Sequence, residues 1–128
     1  MLSNYVKSAD WKNEKHVPVI LCPDCVSASE PFEIEVVVGK EIPHPNTSTH
    51  FIAWIALHFV PDDAPASIEL ARCELSAHGA SASGESGPAV TQSNIKCSVS
   101  IRKPGKLFAT AYCNIHGLWA SEKSVSVR

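Results

Sequence analysis

The chain has 128 residues, a formal net charge of −2 and 45% hydrophobic residues, which fits one globular domain spanning 1–128 with a single core. No basic block is available to neutralise phosphates, which excludes nucleic acid as the main partner. The longest apolar run, Phe51 to Val60, contains His58 and is too short to cross a bilayer. The first residues, Met1-Leu2-Ser3-Asn4-Tyr5, lack the basic start and apolar stretch of a secretion signal. The expected location is therefore the cytoplasm, where five cysteines point to metal or redox chemistry before structural disulfides.

Residues 1–15 are polar around Trp11, and Ser8 to Lys12 reads as one helical turn. Val17 to Leu21 reads as a short strand, at a sheet edge because Pro18 has no N–H to donate. Cys22-Pro23-Asp24-Cys25 is a turn by its Pro-Asp content. Phe32, Ile34, Val36 and Val38 alternate with Glu33 and Glu35, the period of a half-buried strand that Gly39 ends. A polar loop with Pro43 and Pro45 follows, running from His44 to His50. Phe51 to Phe59 is a long strand, partly apolar on both faces, as in the middle of a sandwich or at a subunit contact. After a turn at Pro61 to Pro65, Ser67 to Leu75 alternates again, and 76–91 is a long loop rich in Gly, Ser and Ala. Ile95, Cys97, Val99 and Ile101 form the next apolar face. Pro104-Gly105 turns the chain into a strand from Leu107 to Tyr112, and Glu122 to Arg128 is a last short strand. About seven strands with regularly spaced turns predict an all-β fold, an antiparallel β-sandwich of immunoglobulin-like type.

The chemistry gathers between these strands. Cys113-Asn114-Ile115-His116-Gly117 places a thiol and an imidazole three residues apart in a turn, half of a four-ligand site. Lys40 to His50 adds His44 and His50, and Asn13 to Ile20 adds His16. All five side chains lie in loops or at strand ends, where a rigid sandwich can aim them at one point. Four imidazoles and a thiolate exceed what tetrahedral zinc takes. They suit a square-pyramidal iron with the thiolate opposite an open position. A thiolate donates electron density to whatever lies across the metal from it, which favours reduction of a small oxygen species there.

Several stretches together resemble the superoxide reductases of the desulfoferrodoxin family, in particular the one-iron neelaredoxin type. They are Glu14-Lys15-His16-Val17-Pro18-Val19, Gly39 to Asn46 with His50, Ile52-Ala53-Trp54-Ile55, Ala77-His78-Gly79, and Cys113 to Trp119. The similarity runs from about Asp10 to the end, with the motifs in family order. It implies a homotetramer, a mononuclear non-haem iron, superoxide as substrate, hydrogen peroxide as product, and a rubredoxin-like electron donor. It also implies that His16, His44, His50 and His116 are equatorial ligands and Cys113 the axial one. By the same resemblance Glu14 is a ligand in the oxidised state only, and Lys15 stands beside the open position, where its charge attracts an anionic substrate.

Four cysteines fall outside this pattern. Cys22 and Cys25 have the spacing of half a metal site, and Cys73 and Cys97 would complete a four-sulfur set if their strands ended nearby. Three readings stay open: inert thiols of the buried kind, a second metal centre such as an iron–sulfur cluster, or a disulfide. His58 and His78 read as solvated or structural, and Trp54 and Trp119 as packing. A rival function is a cupredoxin-like electron carrier without catalysis. Its copper site would use two His, one Cys and usually an axial Met, and the only methionine here is Met1.

Overall fold

The computed structural model describes residues 1–128. Eight strands run in chain order: β1 Pro18–Leu21, β2 Cys25–Val26, β3 Phe32–Val38, β4 Ile52–Pro61, β5 Ile68–Glu74, β6 Asn94–Val99, β7 Gly105–Cys113 and β8 Gly117–Val127. They form a three-stranded sheet in the order β1-β3-β6 and a five-stranded sheet in the order β2-β8-β7-β4-β5. Every pairing is antiparallel except β2 with β8. The all-β sandwich expected from the alternating pattern is therefore present, with eight strands rather than about seven. The additional strand is the two-residue β2, too short to leave a periodic signature.

The sheets face each other because each strand turns every second side chain inward. On β3 these are Ile34, Val36 and Val38, and on β4 they include Ile55, Leu57 and Phe59, all at 5% exposure or less. Each such side chain stabilises the fold by about 1.5–3 kcal/mol relative to an exposed position. On β7 the inward set is Leu107, Ala109, Ala111 and Cys113. Cys113 is thus the last member of a core-facing row, which places its thiol at one end of the sandwich interior. The outer face of the five-stranded sheet carries Trp54 stacked on Tyr112, with the Arg72 guanidinium 4.4 Å from the Trp54 ring centre.

β1 is an edge strand, as the missing N–H of Pro18 requires. Gly39 ends β3 at φ +83°, a conformation that other residues rarely adopt. Two expectations fail. Ser8 to Lys12 is not helical: the Asp10 side chain accepts from Lys12 N, and the Asp10 carbonyl accepts from Asn13 N at 3.0 Å, so a side-chain-supported turn replaces the helix. The one helical segment is a short 3-10 turn at Leu2–Asn4. The terminal strand is also longer than its apolar residues indicate. It starts at Gly117, directly after the Cys113 turn, and pairs with β7 from Cys113↔Gly117 to Gly105↔Val125.

Candidate metal centre

Three connections meet at the end of the sandwich where β7 stops. His16 lies just before β1, His44 and His50 lie in the β3–β4 loop, and Cys113 and His116 flank the β7–β8 turn. Gly117 closes that turn at φ +84°. One donor atom from each of His16, His50, Cys113 and His116 lies within 4.8 Å of the others. His44 stands beside this set, its ring centre 4.9 Å from that of His16 and 4.8 Å from that of His50. The structure thus brings the five expected ligands to one place, although His44 falls outside the tightest group.

The donors are prepared for a metal. Nδ1 of His44 donates to the Pro45 carbonyl at 2.6 Å, so its Nε2 holds the free lone pair. That Nε2 is buried without a hydrogen-bond partner, and so is Nε2 of His50. Buried polar atoms are seldom left unpaired, and a metal ion would satisfy both. Nδ1 of His16 faces the Glu14 carboxylate at 2.6 Å, which turns Nε2 of His16 toward Nδ1 of His116, 3.0 Å away. Two nitrogens bound at a right angle to one ion, each at about 2.1 Å, lie about 3 Å apart. Sγ of Cys113 is 3.8 Å from the same His116 nitrogen and accepts from His116 N at 3.4 Å. A fully buried sulfur with four imidazoles is a mixed soft and borderline donor set, which fits iron.

Electrostatics point the same way. Burial holds the pKa of His44 down to about 4, with the charges of His16, His50 and Lys15 adding to the shift. Burial also lowers His50, helped by His116, His16 and Lys15. Neutral imidazoles are the form that ligates. The hydrogen bond from His16 keeps the Glu14 carboxyl below its usual range against the opposing effect of burial. Lys15 is close enough to act on all three groups. Glu14 is placed here as the orienting partner of His16, the outer carboxylate that fixes a ligand's tautomer and direction.

Sequence reasoning missed two supports. Asn114 ties the turn to the His50 loop: Oδ1 accepts from Phe51 N at 2.8 Å and Nδ2 donates to Thr49 O at 2.9 Å. Its position beside Cys113 in a turn was the available signal. Trp119 does more than pack in the core, since its ring stacks on His16 at 5.0 Å and 15°. His58 is at the surface near Glu69, 3.5 Å away, as expected of a solvated residue. His78 is structural, with both ring nitrogens in hydrogen bonds.

The four remaining cysteines do not converge. All are free thiols, and the only cluster of three or more His, Cys, Asp or Glu donors is the one described above. Cys25 lies on β2 and Cys73 on β5, the opposite edges of the five-stranded sheet. Four strand spacings of about 4.8 Å put those edges about 19 Å apart, too far for one cluster. Cys22, Cys73 and Cys97 pack against the apolar core, and burial raises the thiol pKa of Cys22 and of Cys97.

Fold and site together define a β-sandwich protein with a candidate metal centre in which His16, His50, Cys113 and His116 converge and His44 stands beside them. The Desulfoferrodoxin family model matches residues 8–122, and the chain belongs to that family. It is 46% identical over 123 residues to neelaredoxin of Megalodesulfovibrio gigas, covering 95% of each chain. It is 45% identical over 123 residues to superoxide reductase of Pyrococcus furiosus, covering 95% of this chain and 97% of that one. The solved superoxide reductase (neelaredoxin) of Archaeoglobus fulgidus in the reduced form superposes with a TM-score of 0.88 at 45% identity, over 95% of this chain and 98% of that one.

Proposed function

We propose that this chain is a superoxide reductase, an oxidoreductase that adds one electron and two protons to superoxide and releases hydrogen peroxide. The observation that carries the reading is the convergence of His16, His50, Cys113 and His116 donor atoms within 4.8 Å, beside the unpartnered Nε2 of His44. His16, His44, His50 and His116 would hold the iron from the sides and Cys113 from the interior. When bound, the iron supplies a single electron per turnover. The protein supplies the rest.

Lys15 places a positive charge beside the cluster, which raises the local concentration of a small anion. Its ammonium also orders water, the source of the two protons. Pro45 O and Glu14 hold His44 and His16 in the tautomers that present Nε2. In the oxidised state Glu14 would be an additional ligand, which would require its carboxylate to leave His16. The functional unit is one domain over residues 1–128, assembled as a homotetramer in the cytoplasm and re-reduced by a rubredoxin-like protein. No helix is long and apolar enough to cross a membrane. A cupredoxin-like site has no support, since Met1 is 93% exposed.

The test is the visible spectrum with iron content, recorded before dithionite, after dithionite and after superoxide. One iron per chain, with a thiolate-to-iron band bleached by dithionite and restored by superoxide, supports the reading. Absence of both iron and band after anaerobic reconstitution overturns it. One peroxide formed per superoxide, rather than one per two, separates reduction from dismutation.

A further inference from the structure

The β5–β6 connection, residues 76–91, lies against the loop that carries His44 and His50, and it holds two polar residues in the middle of that loop, Asn46 and Ser48. His78 is 8% exposed and its ring stacks on Phe51 at 4.0 Å and 9°. Nε2 of His78 donates to Leu75 O at 2.6 Å, and Nδ1 lies 2.8 Å from Oδ1 of Asn46. The Asn46 amide is fixed in this sense because its Nδ2 donates to Thr91 O at 3.0 Å. The imidazole is therefore a strut between the end of β5 and the middle of the His44–His50 loop. Two residues further on, Ser48 N donates to both carboxylate oxygens of Glu85, at 3.2 and 3.1 Å, and the Ser48 hydroxyl bonds the same group. Gly79 makes room for this contact. It adopts φ +96°, and a Cβ there would meet Oε2 of Glu85 at 2.9 Å.

Neither His78 nor Glu85 belongs to the set of converging donors. We propose that the 76–91 segment is a positioning clamp: His78 acting through Asn46, and Glu85 acting through Ser48, set the placement of His44 and His50 before a metal arrives. This rests on the reading that His44 and His50 hold iron. A five-residue loop between two ligands has many conformations open to it, and metal binding to an unclamped loop must order them first. Outer partners of metal ligands typically change affinity by about 10–100-fold. His78 is the stronger arm because it is buried and bonded on both sides of its ring. Glu85 is the weaker, being exposed to water.

The experiment compares the full chain with H78F and E85A. H78F keeps an aromatic ring on Phe51 and removes both ring nitrogens. Ferrous iron affinity is measured by chelator competition, and amide exchange is followed in the iron-free proteins. The expected result is about 10–100-fold weaker iron binding for H78F and less than tenfold for E85A. In both, faster exchange should be confined to residues 44–51. Wild-type affinity and wild-type exchange in both variants would overturn the clamp. If H78F does not fold, E85A decides alone, because Glu85 is exposed: unchanged exchange around Ser48 overturns the proposal, and faster exchange there supports it. If the unaltered chain takes up no iron, the proposed function fails, and the clamp is still judged by the exchange data.

Discussion

Cys113 and His116 flank a turn between β7 and β8, and Cys22 and Cys25 flank the connection between β1 and β2. Both pairs are three residues apart, and both carry soft ligands. The first pair becomes part of a cluster of donors because two other connections, the one with His16 and the one with His44 and His50, end at the same rim of the sandwich. The second pair meets no third donor. Its strand lies at one edge of the five-stranded sheet, with Cys73 at the other. Ligand spacing along the chain thus sets what a turn can contribute, and strand order sets whether anything joins it.

The sharpest way to break this comparison is Cys113→Ser. Superoxide reduction and the thiolate-to-iron band should both be lost, and a surviving band would mean that the sulfur ligand lies elsewhere. Lys15→Ala should slow superoxide capture about tenfold at low salt and flatten its dependence on ionic strength. Unchanged stopped-flow rates at low salt would remove the steering role. Asn114→Ala cuts two side-chain bonds joining the turn to the His50 loop. It should cost about 1–2 kcal/mol in thermal or denaturant unfolding, and a cost near zero would show that the backbone bond between Asn114 N and Phe51 O suffices.

Acidification tests the neutral imidazoles. The folded pKa of His44 lies at about 4 against an ordinary 6.5, so between these values the unfolded chain binds the more protons. Stability of the iron-free protein should therefore be fully present above about 6.5 and fall as pH drops toward 4. A melting temperature flat across that window would contradict it. The smallest effect is expected from a Cys22→Ser, Cys25→Ser double variant. Iron content and spectrum should match the unaltered protein, and lost iron would return those thiols to the metal chemistry.

Much of this molecule was legible in advance because the relevant physics is local. Alternation along Phe32–Val38 marks a face to be buried, and the missing N–H of Pro18 marks an edge. The identities of His16, His44, His50, Cys113 and His116 state which donors are available. The longer β8 was hidden because its first residues, Gly117 to Ser121, begin at a turn glycine and carry Leu118-Trp119-Ala120 without alternation, and its length comes from pairing with β7. The helical turn at Ser8–Lys12 failed because Asp10 bonded the backbone itself.

By itself, the sequence determined the strand faces, the all-β class and the chemical character of the centre, since periodicity and donor type need no knowledge of distant residues. Only the tertiary structure decided that Nε2 of His16 meets Nδ1 of His116, that His78 and Glu85 grip the His44–His50 loop, and that Cys22, Cys25, Cys73 and Cys97 do not converge. Those outcomes depend on which strand lies beside which and at what register, a distance relation between residues up to about 100 positions apart in the chain that no local pattern encodes.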